Sequence, residues 1–391
     1  MNPKIILFLL LAGILITSCQ DGDDNKRTAQ HTIVAYMMVD GLDSYIRDNI
    51  KDMVTASEQI PEYENILAFL DYSGRNSYII KITQGKIDTV MDYKRNLVNS
   101  NPEVMADVLQ WCFSNYPAEN YGLIFGSHGS SWIFSNDTIA TTSTSISAKG
   151  KKQHIGASYS NDGPINIPTF AKVLETLPHQ QFILFDLCAA QSIETAYEIR
   201  KSVDYIVASP AEIPDSGAQF KILLPYMFKD LPAEIGRQYY QYYAQKDSST
   251  KPPISVIKTS ELDNLAYVTR LYLQNILTDY PTDITLDGLI YYFTIKTNGH
   301  TTPICYDMND FMLHHLPSTD YTAWKEQYDK VVVYKGLSSK WTTVYPIVFS
   351  SFTADDDTFG GVSMFVPSTL YSDAVLSDYK KTAWYNAIYV N

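Results

Sequence analysis

Cysteine is scarce in this chain, and its spacing excludes two common kinds of site. The 391 residues contain four cysteines, Cys19, Cys112, Cys188 and Cys305. No pair has the C-x-x-C spacing of zinc or redox motifs, and nothing in the pattern resembles a disulfide framework. If Cys19 is modified, an odd number remains for an oxidising compartment, so at least one thiol is free. The sequence therefore raises the question of which thiol is reactive.

The chain also has fewer basic residues than acidic ones. The chain has 30 Lys and Arg against 43 Asp and Glu, for a formal net charge of −13. A surface of this sign repels a phosphate backbone, which argues against nucleic acid as a partner. Because 45% of the residues are hydrophobic and 19% are charged, a folded core is expected and global disorder is not.

Only the N-terminus carries a targeting pattern. Lys4 precedes an apolar run over 5–16, too short to span a bilayer and typical of a secretory signal peptide. The run ends Ile16-Thr17-Ser18-Cys19, which resembles the lipobox of bacterial lipoproteins; the alternative is an ordinary signal peptide with a chance cysteine. We predict a lipoprotein signal peptide over 1–18, a lipid on Cys19 that anchors the protein to a membrane, and a flexible tether over 19–30. The predicted location is the cell envelope, at the outer membrane, either periplasmic or surface-exposed.

Strand and helix patterns alternate through the first half of the mature chain. Continuous apolar runs at 32–39, 65–71, 121–125, 182–185 and 205–208 predict strands covered on both faces. This order indicates an α/β domain with a mostly parallel sheet flanked by helices, followed by a more helical C-terminal extension. The polar residues near 248–252 predict a boundary between an α/β domain over 31–250 and an α/β region over 251–391 packed on it.

Two of the predicted strands end in residues that carry chemistry. The strand at 121–125 leads into Ser127-His128-Gly129, and the strand at 182–185 leads into Asp186-Leu187-Cys188. In open parallel sheets, sites form at the carboxyl ends of strands, and a single right-handed crossover places such strands side by side. We therefore expect His128 and Cys188 to lie together at one edge of the sheet.

A histidine beside a cysteine is suited to nucleophilic catalysis. The imidazole raises the thiolate fraction of the cysteine and later protonates the leaving amine. We expect Cys188 to open a helix, whose N-terminus would lower the thiol pKa, and we expect the N–H groups of Gly129 and Cys188 to bind an oxyanion. The alternative is that Cys188 is a core residue and His128 a turn residue.

The order of these motifs resembles the clostripain peptidases, which are relatives of the caspases, gingipains and legumains. The resemblance rests on Ser127-His128-Gly129-Ser130-Ser131-Trp132, then Asp186-Leu187-Cys188, and on Pro214-x-x-Gly217 further on. It implies a caspase-like sheet and a cysteine endopeptidase with the catalytic pair His128 and Cys188. Ser130-Ser131 and Leu187 depart from the family pattern, which leaves open a degenerate surface lipoprotein that binds peptide or protein. A ligase or transpeptidase using the same pair is a third option.

The resemblance also implies a specificity for basic P1 residues. Asp186 lies two positions before Cys188, so in extended chain both side chains face the same side, and Asp186 would pair with Arg or Lys of a peptide or protein substrate. Asp215 is a second candidate for this pocket. The alternative is that Asp186 caps a helix beginning near Ala189.

Two further features concern maturation and metals. Family members often mature by internal cleavage after a basic residue, and Lys149, Lys151 and Lys152 lie in a polar loop over 135–163; a solvated basic loop is the equal alternative. No cofactor or metal is expected in catalysis. Asp355-Asp356-Asp357 offers oxygen ligands for structural calcium, although an acidic surface turn is the favoured interpretation.

Overall fold

The structure is a computed structural model, and it describes residues 28–38, 41–72, 75–134, 165–246, 251–277, 284–297, 300–338, 341–344, 347–348, 355 and 357–390. Its strands are β1 (Ala29–Met38), β2 (Asn65–Asp71), β3 (Tyr78–Thr83), β4 (Lys86–Asp92), β5 (Ala118–Gly126), β6 (Gln180–Asp186), β7 (Val203–Ala208), β8 (Ile254–Lys258), β9 (Tyr291–Thr297), β10 (His300–Asp307), β11 (Val332–Gly336), β12 (Thr342–Val344), β13 (Ile347–Val348) and β14 (Ser363–Met364).

The helices cover both faces of the main sheet. They are α1 (Asp43–Ser57), α2 (Pro102–Asn115), α3 (Ile167–Leu174), α4 (Ile193–Ile199), α5 (Phe220–Met227), α6 (Pro232–Ala244), α7 (Leu262–Ile276), α8 (Met308–His315), α9 (Ser318–Val331), α10 (Asp373–Tyr379) and α11 (Ala383–Tyr385). A short 3₁₀ turn at Thr259–Glu261 precedes α7, and one π turn at Asn386–Val390 follows α11.

The main sheet has the order β11-β8-β7-β6-β5-β1-β2-β3-β4. Its five central strands, from β7 to β2, are parallel to their neighbours, whereas β8 and β11 on one side and β3 and β4 on the other are antiparallel. Every residue of β2 is buried, as the continuous apolar run predicted. The predicted mixed α/β architecture with a mostly parallel, caspase-like sheet is therefore confirmed.

Side chains of β1 alternate between two hydrophobic layers. Ala35 and Met37 face the layer that contains α1, α5 and α6, whereas Val34 and Tyr36 face the layer that contains α2, α3 and α4. Tyr36 stacks on Phe125 with ring centroids 5.8 Å apart, which packs β1 against β5 on that face. Both faces of the sheet are thus covered, and its carboxyl edge remains for a site.

The chain after residue 250 contributes to the same sheet. β8 pairs with β7 and β11 pairs with β8, while β9, β10 and β14 form a smaller antiparallel sheet. The predicted boundary near residue 250 falls between α6 and β8, and it stays a prediction. Among the described helices, none has both the length and the hydropathy needed to cross a bilayer. The predicted signal peptide over 1–18 and the lipidated Cys19 lie outside the described residues, as does most of the tether.

Candidate active site

The residues that follow β5 and β6 lie at one edge of the main sheet. β5 and β6 are parallel neighbours, with Gly126 opposite Asp186, and the N–H of Ser127 donates to the carbonyl oxygen of Asp186 at 3.4 Å. The two strands are therefore side by side, as the crossover rule predicted. His128 and Cys188 each lie two residues after the last paired residue of their strand, and both line a single cleft.

The cleft brings together four of the predicted site residues, namely His128, Asp186, Cys188 and Asp215. Met37 from β1, Ile46 and Asn49 from α1, and Ile213 from the loop after β7 also line it and were not predicted from the sequence. Gly217 lines it as well and belongs to the Pro214-x-x-Gly217 motif, which the family resemblance had singled out.

Cys188 lies in a turn, and the prediction that it opens a helix is wrong. Ala189 has a φ of 53°, which cannot continue a right-handed helix, and α4 begins only at Ile193 with Ser192 as its capping residue. The N–H of Ala189 instead donates to the carbonyl oxygen of Ala211 at 2.8 Å. A helix N-terminus therefore does not lower the pKa of this thiol.

Cys188 is half-buried, and its thiol contacts the loop after β7. Its sulfur accepts a hydrogen bond from the N–H of Ile213 at 3.4 Å, and it lies 3.8 Å from the carbonyl oxygen of Ile213. Desolvation, with a further contribution from the negative charge of Glu212, raises the pKa of Cys188 well above its ordinary value. In this conformation the thiol is protonated at neutral pH, so forming a thiolate requires a base. His128 lines the same cleft.

Asp186 is buried and lines the same cleft as Cys188. Its Oδ1 accepts hydrogen bonds from the N–H of Ala218 at 2.7 Å and from the hydroxyl of Tyr239 at 3.1 Å. Burial raises the pKa of Asp186 to about 6, although both hydrogen bonds act in the opposite direction. The alternative that Asp186 caps a helix near Ala189 is wrong, because the carboxylate binds Ala218 and α4 starts later.

Gly129 adjoins the lining residue His128 and packs directly against the turn of Cys188. A Cβ at position 129 would lie 2.3 Å from the carbonyl oxygen of Cys188 and 2.4 Å from Cδ1 of Leu187. Both distances are well inside van der Waals contact. The close approach of the two turns therefore requires glycine at this position.

We expect Gly129→Ala to separate the two turns. It should lower turnover at least about 10²-fold, because misplacement by about 1 Å costs this much, and lower the free energy of unfolding by about 1–3 kcal/mol. Urea denaturation and substrate turnover measure the two effects. Gly41→Ala is the control: Gly41 has a φ of +78° but no atom within 4 Å of an added Cβ, so stability should fall by about 1 kcal/mol without loss of turnover. Equal turnover in the two variants would refute the close-packing argument.

Gln191 connects the turn of Cys188 to the C-terminal part of the chain. Its side-chain amide donates to the main-chain carbonyl oxygen and the hydroxyl of Ser255 at 2.9 and 3.0 Å. Its main-chain carbonyl oxygen accepts from the N–H of Ser363 at 2.9 Å. Nearby, Glu194 accepts from the N–H of Phe365 at 2.8 Å. Buried polar groups paired in this way hold the turn in one conformation.

The remaining predicted residues lie elsewhere. Lys149, Lys151 and Lys152 are outside the described residues. Cys112 and Cys305 are free and buried. Oδ1 of Asp355 accepts from the N–H of Asp357 and from the N–H of Thr358, which is the geometry of an acidic turn, and the described residues contain no cluster of three or more metal-binding side chains.

Comparison with known proteins places these observations in a family. The model of the clostripain family, peptidase C11, matches residues 35–387. The fold is similar to a secreted C11 cysteine protease from Bacteroides thetaiotaomicron, solved with an irreversible peptide inhibitor, at a TM-score of 0.77 and 27% identity over 92% of this chain and 99% of that one. It is also similar to an inactive zymogen C11 protease from Parabacteroides distasonis, at a TM-score of 0.74 and 25% identity over 93% and 99%. A search of curated proteins gave no match.

Proposed function

Because this chain belongs to the clostripain family and is a cysteine endopeptidase, we propose that it cleaves peptides after arginine or lysine with His128 and Cys188 as its catalytic pair. The observation that carries this proposal is the composition of one cleft. It holds the imidazole of His128, the thiol of Cys188 and the buried carboxylate of Asp186. The first two are the groups that acyl transfer needs, and the third is a partner for a basic side chain.

The reaction begins with the transfer of the thiol proton from Cys188 to His128. The sulfur attacks the carbonyl carbon of the scissile bond, and the oxyanion that forms accepts hydrogen bonds from the N–H groups of Gly129 and Cys188. The C–N bond then breaks as His128 protonates the leaving amine. Water, deprotonated by His128, hydrolyses the thioester and regenerates the thiol. The raised pKa of Cys188 makes this first proton transfer unfavourable in the free enzyme.

Asp186 is proposed to bind the basic P1 side chain. Among the described residues, no Lys or Arg forms an ion pair with this carboxylate, and burial raises its pKa to about 6. The buried carboxylate has lost its contact with water, and the cation of a basic P1 side chain would compensate for that loss. A neutral P1 side chain would not, and the preference for basic P1 residues follows from this difference. Asp215 lines the same cleft and adds negative charge at its mouth.

Maturation and location extend the proposal. We propose that cleavage after Lys149, Lys151 or Lys152 activates the enzyme, and a relative solved as an inactive zymogen supports a requirement for activation in this family.

We also propose that Cys19 carries a lipid that anchors the enzyme in the cell envelope. The secreted relative from Bacteroides thetaiotaomicron agrees with export, and the Ile16-Thr17-Ser18-Cys19 sequence is what favours the lipid.

A panel of fluorogenic peptides tests the specificity. The protein lacking residues 1–19 is measured with Arg, Lys or Ala at P1, before and after limited trypsin treatment followed by complete trypsin inhibition. Cleavage after Arg and Lys should exceed cleavage after Ala at least about 10²-fold, because the buried charge is paired only by a basic residue. Cys188→Ala treated identically controls for residual trypsin. Preference for Ala, or turnover of none of the peptides, would contradict the proposal, and the second result would favour a peptide-binding role.

A further inference from the structure

The two oxygens of the Asp186 carboxylate differ in the number of hydrogen bonds that they accept. Oδ1 accepts two hydrogen bonds, from the N–H of Ala218 at 2.7 Å and from the hydroxyl of Tyr239 at 3.1 Å. Within the described part of the chain, Oδ2 accepts none. A carboxylate oxygen offers two lone pairs, so Oδ1 is fully used before a substrate arrives and Oδ2 retains its acceptor capacity.

Lysine and arginine place different demands on a carboxylate. A guanidinium binds best through two parallel N–H groups, one to each oxygen, in a planar fork. An ammonium is a compact point charge that needs only one oxygen. A carboxylate with one occupied oxygen can therefore pair fully with lysine, whereas arginine loses one of its two preferred hydrogen bonds.

We propose that Tyr239 is a specificity-determining residue that makes this enzyme prefer lysine to arginine at P1, by occupying Oδ1 of Asp186. This inference rests on the proposed function, in which Asp186 binds the P1 side chain. Tyr239 acts through Asp186, and it is therefore a positioning residue.

The fold holds the Tyr239 hydroxyl in place. The side chain is 0% exposed in α6, in the apolar layer beneath the sheet, and its ring lies 5.9 Å from that of Tyr243. A buried hydroxyl that left Asp186 would lose its hydrogen bond without gaining one to water, which is unfavourable. A substrate guanidinium would have to displace this donor to reach Oδ1.

Backbone packing fixes the position of the carboxylate. Gly217 has a φ of +57°, and a Cβ there would lie 2.4 Å from Oδ2 and 2.8 Å from Oδ1 of Asp186. The main chain of this loop therefore passes close to both oxygens. The hydroxyl of Tyr243 donates to the carbonyl oxygen of Gly217 at 2.6 Å and fixes the loop there. This packing acts alike on lysine and arginine substrates, whereas the hydrogen bond from Tyr239 to Oδ1 distinguishes between them.

The test compares kcat/KM for matched peptides with Lys, Arg and Ala at P1, in the wild type, Tyr239→Phe and Tyr243→Phe. The wild type should prefer Lys to Arg by about tenfold, the effect of one charge-assisted hydrogen bond. Tyr239→Phe keeps the ring and frees one lone pair on Oδ1, so the Arg-to-Lys ratio should rise by about tenfold. Tyr243→Phe removes a hydroxyl one helical turn away that binds the loop and not the carboxylate; it should change both rates together and leave the ratio unchanged.

The outcomes separate this inference from the proposed function. Cleavage after Lys and Arg with Arg preferred in the wild type would overturn the inference and leave the proposed function standing. A ratio that does not move in Tyr239→Phe, or that moves equally in Tyr243→Phe, would also overturn it. If the peptide with Ala is cleaved as fast as the basic ones, the proposed function fails and the inference fails with it. Should Tyr239→Phe fold poorly, the wild-type ratio decides alone.

Discussion

Cys188→Ala should reduce turnover of peptides with a basic P1 residue at least about 10⁴-fold. Removing a nucleophile abolishes the covalent route entirely, and what remains comes only from substrate binding and oxyanion stabilisation. The effect should fall on kcat, because the substitution leaves Asp186 and the cleft walls in place. Steady-state kinetics with a Lys substrate measures it, and a binding assay with the same peptide should show affinity close to that of the wild type.

Two other cysteines provide matched controls for this variant. Cys112 and Cys305 are free and 0% and 1% exposed, and burial raises the pKa of each to about 12. Cys112→Ala and Cys305→Ala should therefore keep full kcat, although each leaves a small cavity that lowers stability. Residual turnover in Cys188→Ala, or its loss in Cys112→Ala with the protein still folded, would show that the nucleophile had been assigned to the wrong thiol.

Asp186→Asn should have the second largest effect, and activity and stability should move in opposite directions. An amide keeps the shape and the acceptor oxygen for Ala218 and Tyr239 but removes the charge. We expect kcat/KM for Lys and Arg substrates to fall about 10²–10³-fold, with little change for Ala substrates. A similar loss for all three substrates would indicate damage to the catalytic pair and contradict a P1 role for Asp186.

The stability effect follows from the direction of the pKa shift. The pKa of Asp186 rises from 3.8 to about 6 on folding, so the folded protein favours the protonated carboxyl. Wild-type stability from this group is greatest below pH 4 and declines as the pH rises through about 6. At 1.36 kcal/mol for each pKa unit, the ionised carboxylate destabilises the fold by roughly 3 kcal/mol at pH 7. Denaturation of Asp186→Asn and the wild type from pH 4 to 8 should show a difference that grows between pH 4 and about 6 and then stays constant; a difference that is the same at pH 4 and pH 8 would contradict the shift.

Much of the fold was predictable because it depends on local patterns. Buried parallel strands are continuous apolar runs, and the runs at β1, β2, β5, β6 and β7 were identified on that basis. Gln84 and Gly85 have φ values of 48° and 75°, so the hairpin between β3 and β4 turns through the left-handed region as such short connections require. β8 was missed because it directly follows the polar residues near 248–252, which predicted a domain boundary at this place.

The site was predictable in part for the same reason. His128 and Cys188 follow buried strands, and the topology rules placed them together. The conformation of Cys188 was not predictable, because the turn at Ala189 is held by Ala211, a contact that exists only after β6 and β7 have paired. Tyr239 carried no signal at all: it lies 53 residues from the carboxylate it binds, and the chain has 30 tyrosines.

The hydrogen bonds of Gln191 have a consequence for the order in which the enzyme is made. Ser363, which binds the carbonyl of Gln191, follows it by 172 residues, and Phe365 follows Glu194 by 171. During synthesis the chain emerges from its N-terminus, so the histidine and cysteine segments are present long before the residues that fix the cysteine turn. A partly synthesised chain therefore has His128 and Cys188 without the contacts that hold the cysteine turn. We expect proteolytic activity only once the C-terminal segments have been made, which would protect the nascent chain from cleavage.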